Sequence, residues 1–143
     1  MTMAVDAGLD FFRQALALRG YRQEILTADI ANASTPGFKA VDLDFRQALS
    51  AADTPEAAPA LLVDDPRQLS AGAGAPPGAT AAVKYQAGGA VTLDGNSVDL
   101  GREKVEAAEN AVEYEAAASF TSQIVKMLAT AINGAAAAGG GGS

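Results

Sequence analysis

Residues 30–39, Ile-Ala-Asn-Ala-Ser-Thr-Pro-Gly-Phe-Lys, restrict the possible folds more than any other stretch of the chain. They end a long amphipathic run with several independent signals. Asn32 is one of the few non-glycine side chains that take the left-handed conformation at a helix C-terminus. Pro36 disfavours helix at Thr35 and lacks the N–H that a continuing helix would need. Pro36-Gly37 fits the two central positions of a type II turn, where Pro fixes φ and Gly accepts φ > 0. The stretch therefore specifies a helix, a stop, a tight turn and an extended exit.

Upstream of the stop, residues 8–32 read as the helix. Phe11, Ala15, Leu18, Tyr21, Ile25, Ala28 and Asn32 recur at steps of three and four. A second line, Leu9, Phe12, Leu16, Leu26 and Ile30, lies on an adjoining face, so the apolar surface is wider than one partner helix would cover. Arg13, Arg19 and Arg22 fall between the stripes. Gly20 costs about 1 kcal/mol relative to Ala in a helix interior and marks a candidate close contact.

Downstream, residues 38–45 alternate, with Val41, Leu43 and Phe45 on one side and Asp42 and Asp44 on the other, the pattern of a short half-buried strand. Asp42 and Asp44 sit on its solvated face without a third ligand, which favours a surface role over metal or acid–base chemistry. Composition changes at residue 47. Five of the six prolines lie between 55 and 77, and residues 47–90 hold few large apolar side chains to offset about 1–2 kcal/mol of backbone ordering per residue. This segment is expected to be mobile in isolation, with Leu61-Leu62-Val63 as a small anchor and Val83–Gln86 pairing with Ala90–Leu93. Gly72 and Gly74 form no phosphate loop, because no strand precedes them and Pro76-Pro77 blocks the required helix.

Residues 94–133 read as a second, longer helix. Asp94-Gly95 is a turn pair, and Asn96 with Asp99 resembles a capping box. Val98, Val105, Val112 and Ser119 are spaced by sevens, and Ala108, Ala116, Phe120, Ile124, Leu128 and Ala131 continue a drifting i+3/i+4 stripe. Glu103, Glu106, Glu109 and Glu113 crowd one side. Like charges at i,i+4 destabilise an isolated helix by a few tenths of a kcal/mol, about 0.2–0.5. The stripe is either a solvated face or a surface that meets Arg13, Arg19 or Arg22 on adjacent subunits. The closing Gly-Gly-Gly-Gly-Ser looks like a flexible linker.

The formal charge of −7 argues against nucleic-acid binding and adsorption to anionic lipid. The absence of Cys and His removes thiol nucleophiles, imidazole bases and Cys/His zinc sites. No cofactor or metal is expected. There is no basic start with an apolar core of a cleavable signal, and no run of about 18 apolar residues to span a bilayer. Export, if it occurs, is expected to use a route that reads no classical signal peptide.

The wording of the two ends carries more than their physics. Ile30–Phe45, IANASTPGFKAVDLDF, closely resembles the N-terminal signature of flagellar axial proteins, the rod and hook family, which reads A-N-x-x-T-x-G-[YF]. The matching positions are Ala31, Asn32, Thr35, Gly37 and Phe38. Pro36 and the trailing Asp42-Leu43-Asp44-Phe45 are most similar to the proximal rod members. Residues 94–134 are similar in the D-G-N-x-V-D opening, the acidic helix with a Tyr and the closing L-x-x-A-I. Gly101 departs from the acidic residue expected there. The resemblance spans about 80 of the 143 residues and not the middle.

This resemblance implies a mainly α fold: two long terminal helices packed as a hairpin or coiled coil, a variable Pro/Gly/Ala-rich middle, and short β elements. The expected divisions are 1–37 (helix and motif), 38–46 (extended), 47–93 (variable), 94–134 (second helix) and 135–143 (tail). It further implies a non-enzymatic subunit of the periplasmic rod, exported by the flagellar type III apparatus without signal cleavage. Such subunits stack into a helical tube that transmits torque and encloses the export channel. The implied partners are other copies, other rod proteins, the adapter at the membrane ring and the export apparatus, with no nucleic acid and no membrane insertion. Leu18, Ile25, Val105, Val112, Phe120, Ile124 and Leu128 are the expected assembly-helix contacts. The competing readings are the second proximal rod component, or an acidic helical module akin to a secretion chaperone.

Overall fold

A computed structural model describes residues 2–52, 75–86 and 91–139. The order is α1 (Thr2–Ala31), β1 (Val41–Leu43), α2 (Phe45–Ala52), α3 (Ala79–Ala82), β2 (Val83–Tyr85) and α4 (Leu100–Gly139). The fold is mainly α, a hairpin of two long helices with a small two-stranded ribbon, as the sequence implied.

α1 starts earlier than residue 8, since nothing in Thr2–Ala7 breaks a helix. It ends where expected but by a different device. No described non-glycine residue has positive φ, so Asn32 is not left-handed. Its side-chain Nδ2 and its backbone N–H both donate to the Ala28 carbonyl, at 2.8 and 3.0 Å, and this satisfies one of the orphan acceptors at the helix end.

The extended segment is shorter than the alternation suggested. Only Val41–Leu43 is strand. Asp44 instead caps α2, accepting from the Gln47 N–H at 3.0 Å, so Phe45 begins a helix rather than continuing the strand. The N–H of Gln47 and the ammonium of Lys84 together hold the Asp44 carboxyl below the usual range. β1 pairs antiparallel with β2 in the register Val41↔Tyr85, Asp42↔Lys84, Leu43↔Val83. This replaces the expected pairing of Val83–Gln86 with Ala90–Leu93. The ribbon is extended at its ends by Asp44 N–H to the Ala82 carbonyl, 2.9 Å, and Gln86 N–H to the Ala40 carbonyl, 3.0 Å.

Parts of the middle segment pack into the core. Leu18 and Ile25 of α1 pack with Leu43, Ala48, Ala79 and Ala82, flanked by Tyr21, Val41, Phe45, Leu49, Ala75 and Val83. Leu18 and Leu26 are fully buried, each contributing about 1.5–3 kcal/mol. The expectation weighed large side chains and overlooked alanine. Ala48, Ala79 and Ala82 are fully buried because they let backbones approach closely. Leu61-Leu62-Val63 and residues 87–90 lie outside the described residues.

α4 begins at Leu100, not at 94, and its cap is Asp99, whose Oδ1 accepts from the Arg102 N–H at 3.1 Å. Its 40 residues make a rod of about 60 Å. It runs antiparallel to α1, so that Arg22 meets Glu106 and Arg19 meets Glu113. The face turned inward is not the valine heptad. Glu103 and Asn110 are fully buried, and Ala117 and Ile124, seven residues apart again, are half-buried. Val105 and Val112 are exposed, at 58% and 67%. On this inward line Asn110 Nδ2 bonds Arg19 and Gln23 of α1, while Glu103 Oε1 takes its bond from Gln86, just after β2; a valine at 110 would leave the Arg19 carbonyl and Gln23 without that donor.

Candidate functional site

The two motifs that stood apart in sequence meet in one clasp. Asn96, 2% exposed, directs its side-chain Nδ2 at the carbonyls of Asn32, Ala33 and Thr35, at 2.9, 3.1 and 2.8 Å. Its Oδ1 accepts from the Val98 N–H at 2.7 Å. The Gly37 N–H donates to the Asp94 carbonyl (2.9 Å) and the Ser97 N–H to the Phe38 carbonyl (3.0 Å). Ser97 Oγ accepts from the Ala40 N–H at 2.9 Å, and Lys39 Nζ donates to the Gly95 carbonyl at 2.9 Å. The carbonyls left over by the end of α1 are thus consumed by the loop that leads into α4. These groups, mostly amides and carbonyls with the Ser97 hydroxyl and the Lys39 ammonium, satisfy one another, so the clasp holds geometry.

The Thr35–Phe38 turn has the form read from sequence. The Phe38 N–H donates to the Thr35 carbonyl at 3.2 Å, and Gly37 has φ +74° with open space where a side chain would project. Its requirement for glycine is conformational alone. Gly37→Val is expected to lower stability by about 1–3 kcal/mol through backbone strain, read as a reduced urea midpoint at unchanged slope.

Along the hairpin the contacts between α1 and α4 are largely polar. Arg22 forms a two-pronged bond to Asp42 (2.9 and 3.1 Å) and a third to Glu106 (2.9 Å). Asp42, the carboxylate assigned to a solvated face, is thereby half-buried and tied to α1. Arg19 bonds Glu113 and lies 4.4 Å over the Phe45 ring. Asn110 Nδ2 donates to the Arg19 carbonyl at 3.0 Å and to Gln23 Oε1 at 2.8 Å. Two of the cations expected from an adjacent subunit are therefore supplied by the same chain. Of the rest, Arg13 pairs with Asp10 at 3.8 Å on the surface, Glu103 is buried and Glu109 is exposed.

Beside this polar seam opens an apolar groove of about 360 Å³, lined by Phe11, Phe12, Phe45, Leu49 and Phe120. Four of the chain's five phenylalanines line this one open groove, and of these Phe45 also packs against the core. Phe11 and Phe12 touch edge to face, centroids 5.6 Å apart. Phe11 and Phe120 are about half exposed or more, and Val125, Met127 and Ile132 extend the uncovered apolar surface of α4. Of the expected assembly contacts, Leu18 and Ile25 are core and Ile124 and Leu128 half-buried, while Val105, Val112 and Phe120 face outward. Val112, expected against α1, is turned away because Asn110 and Glu113 occupy that side.

Sequence reasoning missed the clasp role of Asn96, the inward Asn110 and the buried Asp29. A signal for Asn110 was present: it lies seven residues from Glu103 and from Ala117. Nothing local marks Asn96 as more than a cap.

No protein-family model matches the chain. Curated relatives do. The chain is 37% identical over 126 residues to the flagellar basal body rod protein FlgB of Escherichia coli K12, covering 85% of this chain and 90% of the relative. It is 33% identical over 134 residues to FlgB of Salmonella typhimurium LT2, 91% and 96% of the two chains. With FlgB of Cereibacter sphaeroides it shares 36% over 121 residues, 85% and 90%. These spans exceed the two motif regions, so the similarity also enters the middle of the chain. At such identity and coverage, the chain belongs to the FlgB family of flagellar basal body rod proteins.

Proposed function

We propose that the chain is a structural, non-enzymatic subunit of the proximal rod, placed in the periplasm at the base of the flagellum. It reaches that place through the flagellar type III apparatus without losing a signal peptide. Its partners are further copies, the other rod proteins and the adapter at the membrane ring. Together they form a helical tube that transmits torque and surrounds the export channel.

One observation carries this reading. The clasp fixes the two terminal helices as one rigid hairpin, yet the hairpin leaves its aromatic groove and the Val105–Val112 ridge uncovered. Contiguous apolar surface on a soluble subunit marks an interaction site. Groove and ridge are formed by separate sets of residues on the same unit. A contact of one subunit's ridge with the next one's groove is head-to-tail, and such contacts propagate into rings or helical filaments. A torque-bearing element needs the rigid clasp, and a polymer needs the open faces.

The test is complementation in a flagellated bacterium lacking its own FlgB. The chain is expected to restore rods and swimming. Phe120→Glu, and the pair Val105→Glu with Val112→Glu, are expected to keep the helical circular dichroism of the parent while abolishing rods, because a charge must be buried in the contact. A wild-type chain that is exported and yields no rods would overturn the rod reading. Normal rods from both charged variants would remove these faces from the assembly.

A further inference from the structure

Where the β ribbon meets α1 and the first turns of α4, four carboxylates face two guanidinium groups. Asp42 and Glu106 take both cations. Arg22 bonds each of them, and Arg102 donates to Glu106 at 2.7 Å. Lys84 of β2 turns to Asp44 at 3.1 Å and Lys39 to the Gly95 carbonyl. Asp29 of α1 and Glu103 of α4 are bonded to no cation among the described residues. Asp29 is 1% exposed, its Oδ2 accepting from the Val41 N–H at 3.0 Å. Glu103 is fully buried, its Oε1 accepting from Gln86 Nε2 at 2.8 Å while Oε2 has no hydrogen-bond partner among the described residues. A buried carboxylate with an oxygen left unsatisfied is costly while ionised, and adding a proton removes the cost.

We infer that Asp29 and Glu103 form a proton-operated switch at this junction: the chain takes up a proton here on folding, and the hold of α1 on the ribbon and α4 weakens when that proton leaves.

The electrostatics agree with the geometry. Burial pushes the Asp29 carboxyl up to about 6 against the opposing Val41 bond, and the Glu103 and Asp42 charges add to the rise. Burial also raises Glu103, opposed by the Gln86 bond and Arg102 and assisted by Glu106 and Asp42. A carboxyl whose folded value exceeds its unfolded one, 3.8 for Asp, contributes its full stability below the unfolded value. That contribution falls as pH rises and is gone above the folded value. The window is therefore about pH 4 to 6.5. Asp44 and Asp94, held low by the Gln47 N–H and the Thr92 hydroxyl respectively, act with the opposite sign, and their contribution is complete only once pH is well above the unfolded carboxylate value, so it opposes the rise at the acid end of the window.

The experiment is urea unfolding of the intact chain from pH 4 to 7.5, for wild type, Asp29→Asn and Glu103→Gln. The wild-type unfolding constant is expected to rise up to about 100-fold between pH 4 and 6.5 and then level. Asp29→Asn is expected to cut that rise below about tenfold, and Glu103→Gln to make it shallower. Carbon-13 titration of the side-chain carboxyls of the folded wild type reads the same groups without mutation, and Asp29 is expected to titrate near 6. A wild-type unfolding constant that is flat or falls over this window overturns the switch. So does an Asp29 carboxyl that titrates with the ordinary surface carboxylates, or an Asp29→Asn variant with the full wild-type slope.

Discussion

Asn96→Ala is expected to lower the stability of the chain by about 2–4 kcal/mol, far more than a surface asparagine would. The substitution removes one donor group from three carbonyls, those of Asn32, Ala33 and Thr35, and the acceptor of the Val98 N–H. Each hydrogen bond is worth only about 0.5–1.5 kcal/mol net; the Asn32 and Thr35 carbonyls keep the Thr35 and Phe38 N–H groups, while the Ala33 carbonyl and the Val98 N–H lose the partner Asn96 gives them, at about 1–3 kcal/mol each where buried. The site is 2% exposed, so water does not replace the side chain freely. Asn96→Asp is expected to be worse although it is nearly isosteric, since a carboxylate only accepts and would face three carbonyl oxygens. Thermal unfolding should register a fall of about 10 °C for the alanine variant. A fall within the range of ordinary surface changes would mean that the carbonyls are satisfied without Asn96.

Gly78→Ala is the second large effect expected. Gly78 precedes α3 with φ +79°, and a Cβ there would lie 2.3 Å from the Ala48 carbonyl oxygen and 2.8 Å from the Ala52 nitrogen. Both are backbone atoms of α2, so no side chain can swing aside. Left-handed strain of about 1–3 kcal/mol adds to overpacking of about 1–3 kcal/mol, for an expected loss of about 2–6 kcal/mol. The variant should lose the packing of residues 75–86 on α1 and α2, seen as exposure of Ala79 and Ala82 amides to hydrogen exchange. Gly8→Ala is the control: the same chemical change in α1, with nothing within 4 Å of the new atom, is expected to raise stability by about 0.5–1 kcal/mol. Equal effects at the two positions would refute the close approach of α3 to α2.

What could be read from the sequence followed from local chemistry. The Thr35–Phe38 turn and the end of α1 near Asn32 rest on Pro, Gly and apolar spacing within a few residues, and the pairing of the two long helices was implied by the family resemblance of the two ends. What could not be read depended on partners distant in sequence. Asn96 looks like a cap because capping is the local use of Asn, and only the fold brings three carbonyls from residues 32–35 to it. The seam of α4 was assigned to Val105 and Val112 because valine is apolar. The inward line of Glu103 and Asn110 is decided by Gln86, Arg19 and Gln23, which lie on other elements. The alanines of α2 and α3 carry no periodic signal of their own, yet their small size sets the closest helix contacts in the core.

Hydrogen exchange at three amides tests most directly whether the two motifs are one unit. The Gly37 N–H crosses from the first motif to Asp94, the Ser97 N–H crosses back to Phe38, and the Ala40 N–H ends on Ser97 Oγ. If the clasp is one cooperative element, the three open together with a common free energy, and Asn96→Ala accelerates all three by a similar factor, about 30-fold or more for a loss of 2 kcal/mol or more. Exchange of Gly37 at the rate of a free loop while Ser97 stays protected would contradict the joint, as would an Asn96→Ala variant that leaves Gly37 and Ala40 unchanged.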